Sequence, residues 1–261
     1  MSIFHTVGFW IKPASGVVYE PDFQTYLDSL VTPLSDGQKT LMNNFYVTVK
    51  TGLDINLLSN TLDGMYFLAN ETAESGLKNI VKRDYDATAV ASPIFTALEG
   101  FDAESTLSYL TIPFNPSVAG VKCVYNDNCM MTYHRILNDT SANHLTWGGT
   151  NGIRMRYVAP GFRYYNYNFN SSLGIYITED ITRPVGFMHS RRLLTNMKAG
   201  HNKAYKTFST APSVFNSTIS LFVNSKQTSM YMIAQNMSDE HLYLIQDAFE
   251  TYMDGNGKGV L

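Results

Sequence analysis

Residues 153–159 read Ile153-Arg154-Met155-Arg156-Tyr157-Val158-Ala159, so Ile153, Met155, Tyr157 and Ala159 alternate with Arg154, Arg156 and Val158. A period of two sends one set to a core and the other to solvent, the mark of a half-buried strand. Ile175 and Ile177 repeat the pattern, as do Ile219, Leu221 and Val223. From Ala89 to Ala234 such runs recur, split by Gly, Pro, Asn and Ser. The spacing predicts strands over 93–96, 108–114, 129–136, 144–147, 153–158, 163–168, 173–177, 185–191, 203–208, 218–223 and 229–234. Many short strands with turn signals between them predict a mainly β chain folded as an antiparallel β-sandwich. In the last run Met230 and Met232 alternate with Tyr231 and Ile233, which is apolar on both faces. That predicts a central strand covered by a helix on its outer side.

Outward from this region the period changes. Phe23, Tyr26, Leu27, Leu30 and Val31 fall on one helical face, behind Pro21 and Asp22 in the first turn, and predict a helix over 21–31. Ser35 and Gln38 have capping-box spacing, and a second helix follows with Leu41, Met42, Phe45 and Val49 inward and Gly52 at its end. A third helix is predicted over 71–82, burying Ala73, Leu77, Ile80 and Val81. The run 64–68 between them is too short for a helix. Ser238 caps a closing helix to about Met253, with Leu242, Ile245, Phe249, Tyr252 and Met253 as its stripe. Gly255, Gly257 and Gly259 then begin a loose tail. Residues 1–20 show no period and read as an extended arm or an edge strand. The expected organisation is an arm over 1–20, a small helical anchoring region over 21–88, and the sandwich with its C-terminal helix over 89–261.

The chain has 261 residues, 44% of them hydrophobic, which is enough to fill a core and excludes global disorder. Net charge is −3 and no run of Lys and Arg forms a basic stripe, so no nucleic-acid partner is expected. No apolar run approaches the roughly 20 residues of a membrane span. The apolar start, 1–11, lacks the charged leader and cleavage site of a secretory signal. Cys123 and Cys129 are expected to be reduced, although they have the spacing to face each other across a hairpin at Asn126-Asp127-Asn128.

Glycoside cleavage needs two converging carboxylates, and no strand here carries acids at alternate positions. Glu179-Asp180 is an adjacent pair beside a turn at Arg183-Pro184. No catalytic residues and no enzyme are expected. His134 and His189 read as polar surface residues without metal-ligand spacing. His189-Ser190-Arg191-Arg192 and His201-Asn202-Lys203 read as a solvated basic hairpin or a contact to an acidic neighbouring subunit. No cofactor is expected; Asn126, Asp127 and Asn128, and Asn138-Asp139-Thr140, offer oxygens to calcium as a secondary reading. The run 162–169 carries the candidate binding residues Arg163, Tyr165, Tyr167 and Phe169. Aromatic rings stack on sugar faces, and Tyr and Arg are also enriched at subunit interfaces. A strand buried on both faces is the alternative, and the outward set is either Tyr165, Tyr167 and Phe169 or Phe162 and Tyr164.

The order of pieces resembles a known family. Leu62-Asp63-Gly64-Met65-Tyr66-Phe67-Leu68-Ala69 precedes Leu77-Lys78-Asn79-Ile80-Val81, then Ser92-Pro93-Ile94-Phe95-Thr96 and Gly100-Phe101. Tyr109-Leu110-Thr111-Ile112-Pro113-Phe114-Asn115-Pro116, Gly186-Phe187-Met188-His189-Ser190-Arg191 and the helix from Met237-Ser238-Asp239-Glu240 follow. From about Pro21 onward this resembles tailed-phage virion proteins with a concanavalin A-like (laminin G-like) jelly-roll domain. The resemblance implies a concanavalin A-like sandwich on a virus particle, in a head-decoration, tail or fibre role. It implies a chain made in the bacterial cytoplasm that assembles with itself, as a trimer by analogy with fibres, and with other virion proteins. A host-surface glycan is the alternative partner. It carries over no catalytic residues.

Overall fold

The computed structural model describes residues 17–52, 60–102, 108–137, 143–146, 154–158, 163–166, 175–178, 185–212, 218–222 and 226–261. The chain is mainly β, an antiparallel sandwich backed by helices. Its helices are α1 (Pro21–Asp28), α2 (Asp36–Gly52), α3 (Ala73–Leu77) and α4 (Asp239–Gly255). Its strands are β1 (Leu62–Tyr66), β2 (Thr88–Val90), β3 (Ile94–Thr96), β4 (Gly100–Asp102), β5 (Tyr109–Ile112), β6 (Asp127–Leu137), β7 (Asn143–Thr146) and β8 (Arg154–Val158). They continue as β9 (Arg163–Asn166), β10 (Ile175–Thr178), β11 (Gly186–Leu193), β12 (Asn196–His201), β13 (Ala204–Ser209), β14 (Ile219–Phe222) and β15 (Lys226–Ala234). Among the described residues the strands form two sheets. The first runs β13-β12-β11-β6-β15-β4-β3, with β1 also on β15, and the second runs β10-β9-β8-β7-β14-β5-β2.

The double-faced reading of 229–234 describes the centre of the molecule. β15 pairs with β6 along one edge and with β1 and then β4 along the other. Met230, Met232 and Ala234 face α1, α2 and α4 in one core, with Cys129, Met131, Tyr133 and Phe187. Tyr231 and Ile233 face the second sheet in the other core, with Met130, Met188, Leu110 and Ile112. The first sheet is therefore buried on both sides. Gly100 lies close to β15: its φ is +111°, and a Cβ there would stand 2.1 Å from the Thr228 carbonyl oxygen.

Several predicted elements change in the fold. α1 stops at Asp28 rather than Val31. Ser29 Oγ donates to the Tyr26 carbonyl, and the Glu74 carboxylate accepts from the Val31 and Thr32 amides at 2.7 and 3.1 Å, which turns the chain away. Val31 is left 88% exposed. At the start of α2 Ser35 Oγ accepts from the Gln38 amide at 3.2 Å, but the Gln38 side chain does not close the box. It donates inward, to Asn70 at 3.2 Å and to the Tyr252 hydroxyl. The third helix shrinks to α3. Beyond it Asn79 Oδ1 accepts from the Met65 and Val81 amides, and the Ile80 amide donates to the Met65 carbonyl, drawing the chain against β1. Residues 62–66 are fully buried and lack alternation, which hid β1 within a segment read as helical. β12 was missed because Asn196-Met197-Lys198-Ala199-Gly200-His201 has no β-branched residue. The tail after α4 is not loose. Arg135 Nε donates to the Lys258 carbonyl at 2.8 Å, and the Val260 and Leu261 amides donate to Glu250 Oε1 at 2.8 and 2.9 Å.

Candidate functional site

The basic sequence 189–192 is not a solvated hairpin. His189, Ser190, Arg191 and Arg192 lie in β11 and are all buried. Strand alternation separates them: His189 and Arg191 lie on the helix side of the first sheet with Phe187, and Arg192 lies on the sandwich side with Met188. Arg191 donates to the Met237 carbonyl at 2.9 Å and pairs with Asp239, the first residue of α4. Asp239 also accepts from Lys198 Nζ at 2.9 Å and the Tyr205 hydroxyl at 3.0 Å, and Lys198 stands 4.4 Å above the Tyr205 ring. Partial burial alone would raise the Asp239 pKa. Hydrogen bonds from Lys198 and Arg191 outweigh that and hold it at about 2. This cluster fastens the start of α4 to β11–β13, with its charges paired inside the chain rather than to a neighbouring subunit. Arg192 donates to the Thr210 carbonyl at 2.6 Å, and burial lowers its pKa to about 10.

The two histidines expected on the surface are buried as well. His134 Nε2 lies 2.9 Å from Thr132 Oγ1, and Nδ1 lies 3.3 Å from Thr228 Oγ1. His189 Nε2 donates to the Asn202 carbonyl at 3.1 Å, and burial, then the Arg191 charge, lowers its pKa to about 3. Strands β6 and β11 sit inside the sheet, so polar residues on them are interior whatever their chemistry.

The calcium candidates Asn126, Asp127 and Asn128 form the turn into β6. Asp127 accepts from Gln235 Nε2 and the Asn236 amide, both at 2.9 Å, and Asn128 Nδ2 donates to the Val124 and Tyr125 carbonyls. These groups staple the turn to the end of β15. Among the described residues no group of three or more His, Cys, Asp or Glu is placed to hold a metal. Residues 138–140, and the Glu179-Asp180 pair, lie outside the described residues. Cys123 and Cys129 do not face each other: Cys123 packs in the core between the sheets and Cys129 in the core under the helices. Burial pushes the Cys129 thiol up to about 12, and burial and then Asp63 push Cys123 well above its usual value. Neither thiol is expected to react with a disulfide reagent in the native protein. Both should titrate only on unfolding, which a timed absorbance assay with and without denaturant checks.

The second sheet brings the strands of the candidate run side by side in backbone register. β14 pairs with β5, Leu221 opposite Leu110 and Ile219 opposite Ile112, and meets β7 at Ser220 and Thr146. β7 pairs with β8, β8 with β9 and β9 with β10, so that Arg156 stands opposite Tyr165 and Tyr165 opposite Tyr176 along the backbone. Of the candidate binding residues, Arg163 and Tyr165 lie in β9. Tyr167, Phe169 and Phe162 lie outside the described residues. Helices α1, α2 and α4 all pack on the other sheet.

No family model matches this sequence, and no curated protein matches it. Among solved structures the chain is similar to Trypanosoma rangeli sialidase in complex with sialic acid, with a TM-score of 0.51 at 10% identity over 81% of this chain and 39% of that one. The same sialidase with 2,3-difluorosialic acid gives 0.50 at 10% identity over 87% of this chain and 41% of that one. The chain thus matches about two fifths of the length of those enzymes. Domain 4 of a GH43 extracellular arabinanase from Geobacillus stearothermophilus, in complex with arabinotriose, aligns over 71% of this chain and 98% of that domain, with a TM-score of 0.45 at 10% identity. At such identity the sialidase likeness shows the antiparallel β fold alone, and nothing rests on the arabinanase match.

Proposed function

We propose that this chain is a non-catalytic carbohydrate-recognition module, displayed on a virus particle. The backbone register that sets Arg156, Tyr165 and Tyr176 opposite one another on β8, β9 and β10 carries the reading. Tyrosine provides an apolar ring with a polar tip, and arginine provides a fixed fork of donors, which together suit the faces and hydroxyls of sugars. The helix-covered first sheet supplies a rigid back. The sequences of β8, β9 and β10 carry no Asp or Glu, whereas glycoside cleavage needs two carboxylates. This supports recognition without turnover. The virion setting and self-assembly rest on the ordered run from Leu62-Asp63-Gly64-Met65-Tyr66 to the α4 sequence.

Titration calorimetry against glycans selected on an array tests the reading. Tyr165→Ala and Arg156→Ala should each weaken binding by about tenfold, from loss of an aromatic contact or a charge-assisted hydrogen bond, with an unchanged unfolding midpoint. Tyr and Arg also suit a subunit contact. If no glycan binds, and light scattering shows an oligomer that these substitutions dissociate, assembly replaces recognition as the role of these strands.

A further inference from the structure

Strand β13 lies at one edge of the first sheet. It pairs with β12 without a register shift, and among the described residues no strand lies on its other side. The phase of that pairing is fixed at its end. The Thr210 amide donates to the Thr195 carbonyl at 2.8 Å, so these two residues form a hydrogen-bonded pair. In an antiparallel ladder bonded pairs alternate with unbonded ones. Met197–Phe208, Ala199–Lys206 and His201–Ala204 are therefore the bonded pairs of the hairpin, and Asn196–Ser209, Lys198–Thr207 and Gly200–Tyr205 the unbonded ones. A Cβ on Gly200 would stand 2.3 Å from the Ala204 carbonyl oxygen, which puts that carbonyl on the β12 side as this phase requires. Tyr205, Thr207 and Ser209 thus turn both N–H and C=O away from β12, and all three residues are exposed.

Edges of this kind are usually blunted by proline, a bulge or several charges. β13 reads Ala204-Tyr205-Lys206-Thr207-Phe208-Ser209, with no proline, no bulge and a single charge. The strand is also held firmly. The Tyr205 hydroxyl donates to Asp239 at 3.0 Å, Lys198 stands over its ring, and Phe208 packs against the core between the sheets. A strand added here gains main-chain bonds without the cost of ordering β13.

We infer that β13 pairs antiparallel with β13 of a second copy, across a two-fold axis at Thr207, and joins the two first sheets into one. Side-chain chemistry selects this register. With the axis at Thr207, Tyr205 of each copy stands opposite Ser209 of the other and Thr207 stands opposite its own counterpart. All three outward residues then meet outward residues and exchange both bonds. Lys206 falls opposite Phe208, where a cation beside an aromatic ring is favourable. An axis at Lys206 would set two lysines directly opposite each other, which their like charge opposes. An axis at Phe208 would set Tyr205 opposite Ala211, beyond the strand. The contact is self-complementary and closes on itself, so its unit is a dimer rather than the trimer suggested by fibres. The inference rests on the self-assembly proposed above and names its surface; it does not depend on the carbohydrate reading.

Thr207→Pro tests the edge directly. The N–H it removes points outward, so every β12–β13 bond survives, and proline is tolerated on an edge strand for that reason. Sedimentation velocity on the full chain, from low micromolar to near-millimolar concentration, should show a monomer–dimer equilibrium. Thr207→Pro should weaken it at least about tenfold, because the axial pair loses both its bonds, and Thr207→Ala should weaken it far less. Unfolding midpoints check that the variants remain folded. A second readout does not use the proline variant. In Thr207→Cys a short bifunctional thiol reagent should join two copies at the axis, whereas Thr40→Cys, exposed on α2, should stay uncoupled. The native Cys123 and Cys129 are buried and do not compete. If the proline variant unfolds early, the cross-link alone decides. An oligomer that a folded Thr207→Pro leaves intact, or copies that fail to couple at position 207, would overturn β13 as the contact and leave self-assembly to another surface. A monomer at every concentration would overturn both.

Discussion

Asp239→Ala is expected to destabilise the protein by about 3–5 kcal/mol, the usual cost of removing one partner from a buried ion pair. The guanidinium of Arg191 is the buried member, with its side chain 2% exposed against 32% for Asp239. Without the carboxylate, the Met237 carbonyl remains as its acceptor among the described residues. A buried cation with one neutral acceptor is worse off than in water. The first turn of α4 would also lose an acid that suits the helix dipole, adding about 0.3–1 kcal/mol. Arg191→Met removes the charge while keeping an apolar stem against β6, and should cost less. In the double variant the stranded cation is gone, so much of the loss from Asp239→Ala should be recovered. Urea unfolding of all four members of this cycle measures the coupling. A loss below about 1 kcal/mol for Asp239→Ala would mean that the Arg191 charge is not effectively buried and that the pair behaves as a surface bridge.

The second large effect is acid sensitivity centred on His189. Burial, and next the Arg191 charge, lower its pKa to about 3; His201 acts in the same direction, and the Asn202 carbonyl and Asp239 oppose. The unfolded chain takes up this proton near 6.5, so between about pH 6.5 and 3 the unfolded state holds one proton more than the folded state. Stability therefore falls as pH is lowered through that window, by up to about 1.4 kcal/mol per pH unit, and the contribution is fully present above it. Asp239, held at about 2 against an ordinary 3.8, adds a further loss as pH falls between those values. Denaturant midpoints at a series of pH values should slope downward from pH 6 to 4. His189→Gln, which keeps a neutral hydrogen-bonding side chain, should flatten that slope. An unchanged slope in the variant would assign the acid sensitivity to other groups.

These effects come from residues whose setting the sequence did not disclose. His189, Arg191 and Arg192 look like a surface patch because charge usually means solvent. β11 is instead an inner strand of a sheet covered on both sides, and its polar groups find partners on α4, β12 and the segment after β13. Those partners are far apart in sequence: Asp239 is 48 residues from Arg191. The short α3 has the same origin, since Asn79 is claimed by the backbone of β1 rather than by its own helix. Residues 162–169 show the limit most clearly. Aromatic residues stand at both parities, so alternation cannot tell which set is inside.

The features legible in the sequence are local. Period-two alternation in 153–159 and 229–234, the stripe and Ser238 cap of α4, and the placement of most strands follow from side-chain periodicity and from the few residues that cap or break an element. The central position of β15 was legible too, because Met230, Tyr231, Met232 and Ile233 are apolar at both parities. The tertiary fold set which face of β6, β11 and β15 meets which core, which cations are buried, and that β8, β9 and β10 pair side by side. Those outcomes depend on the register of strands paired across long separations. Sliding a strand by one residue would send every side chain to the opposite face while leaving its local pattern unchanged.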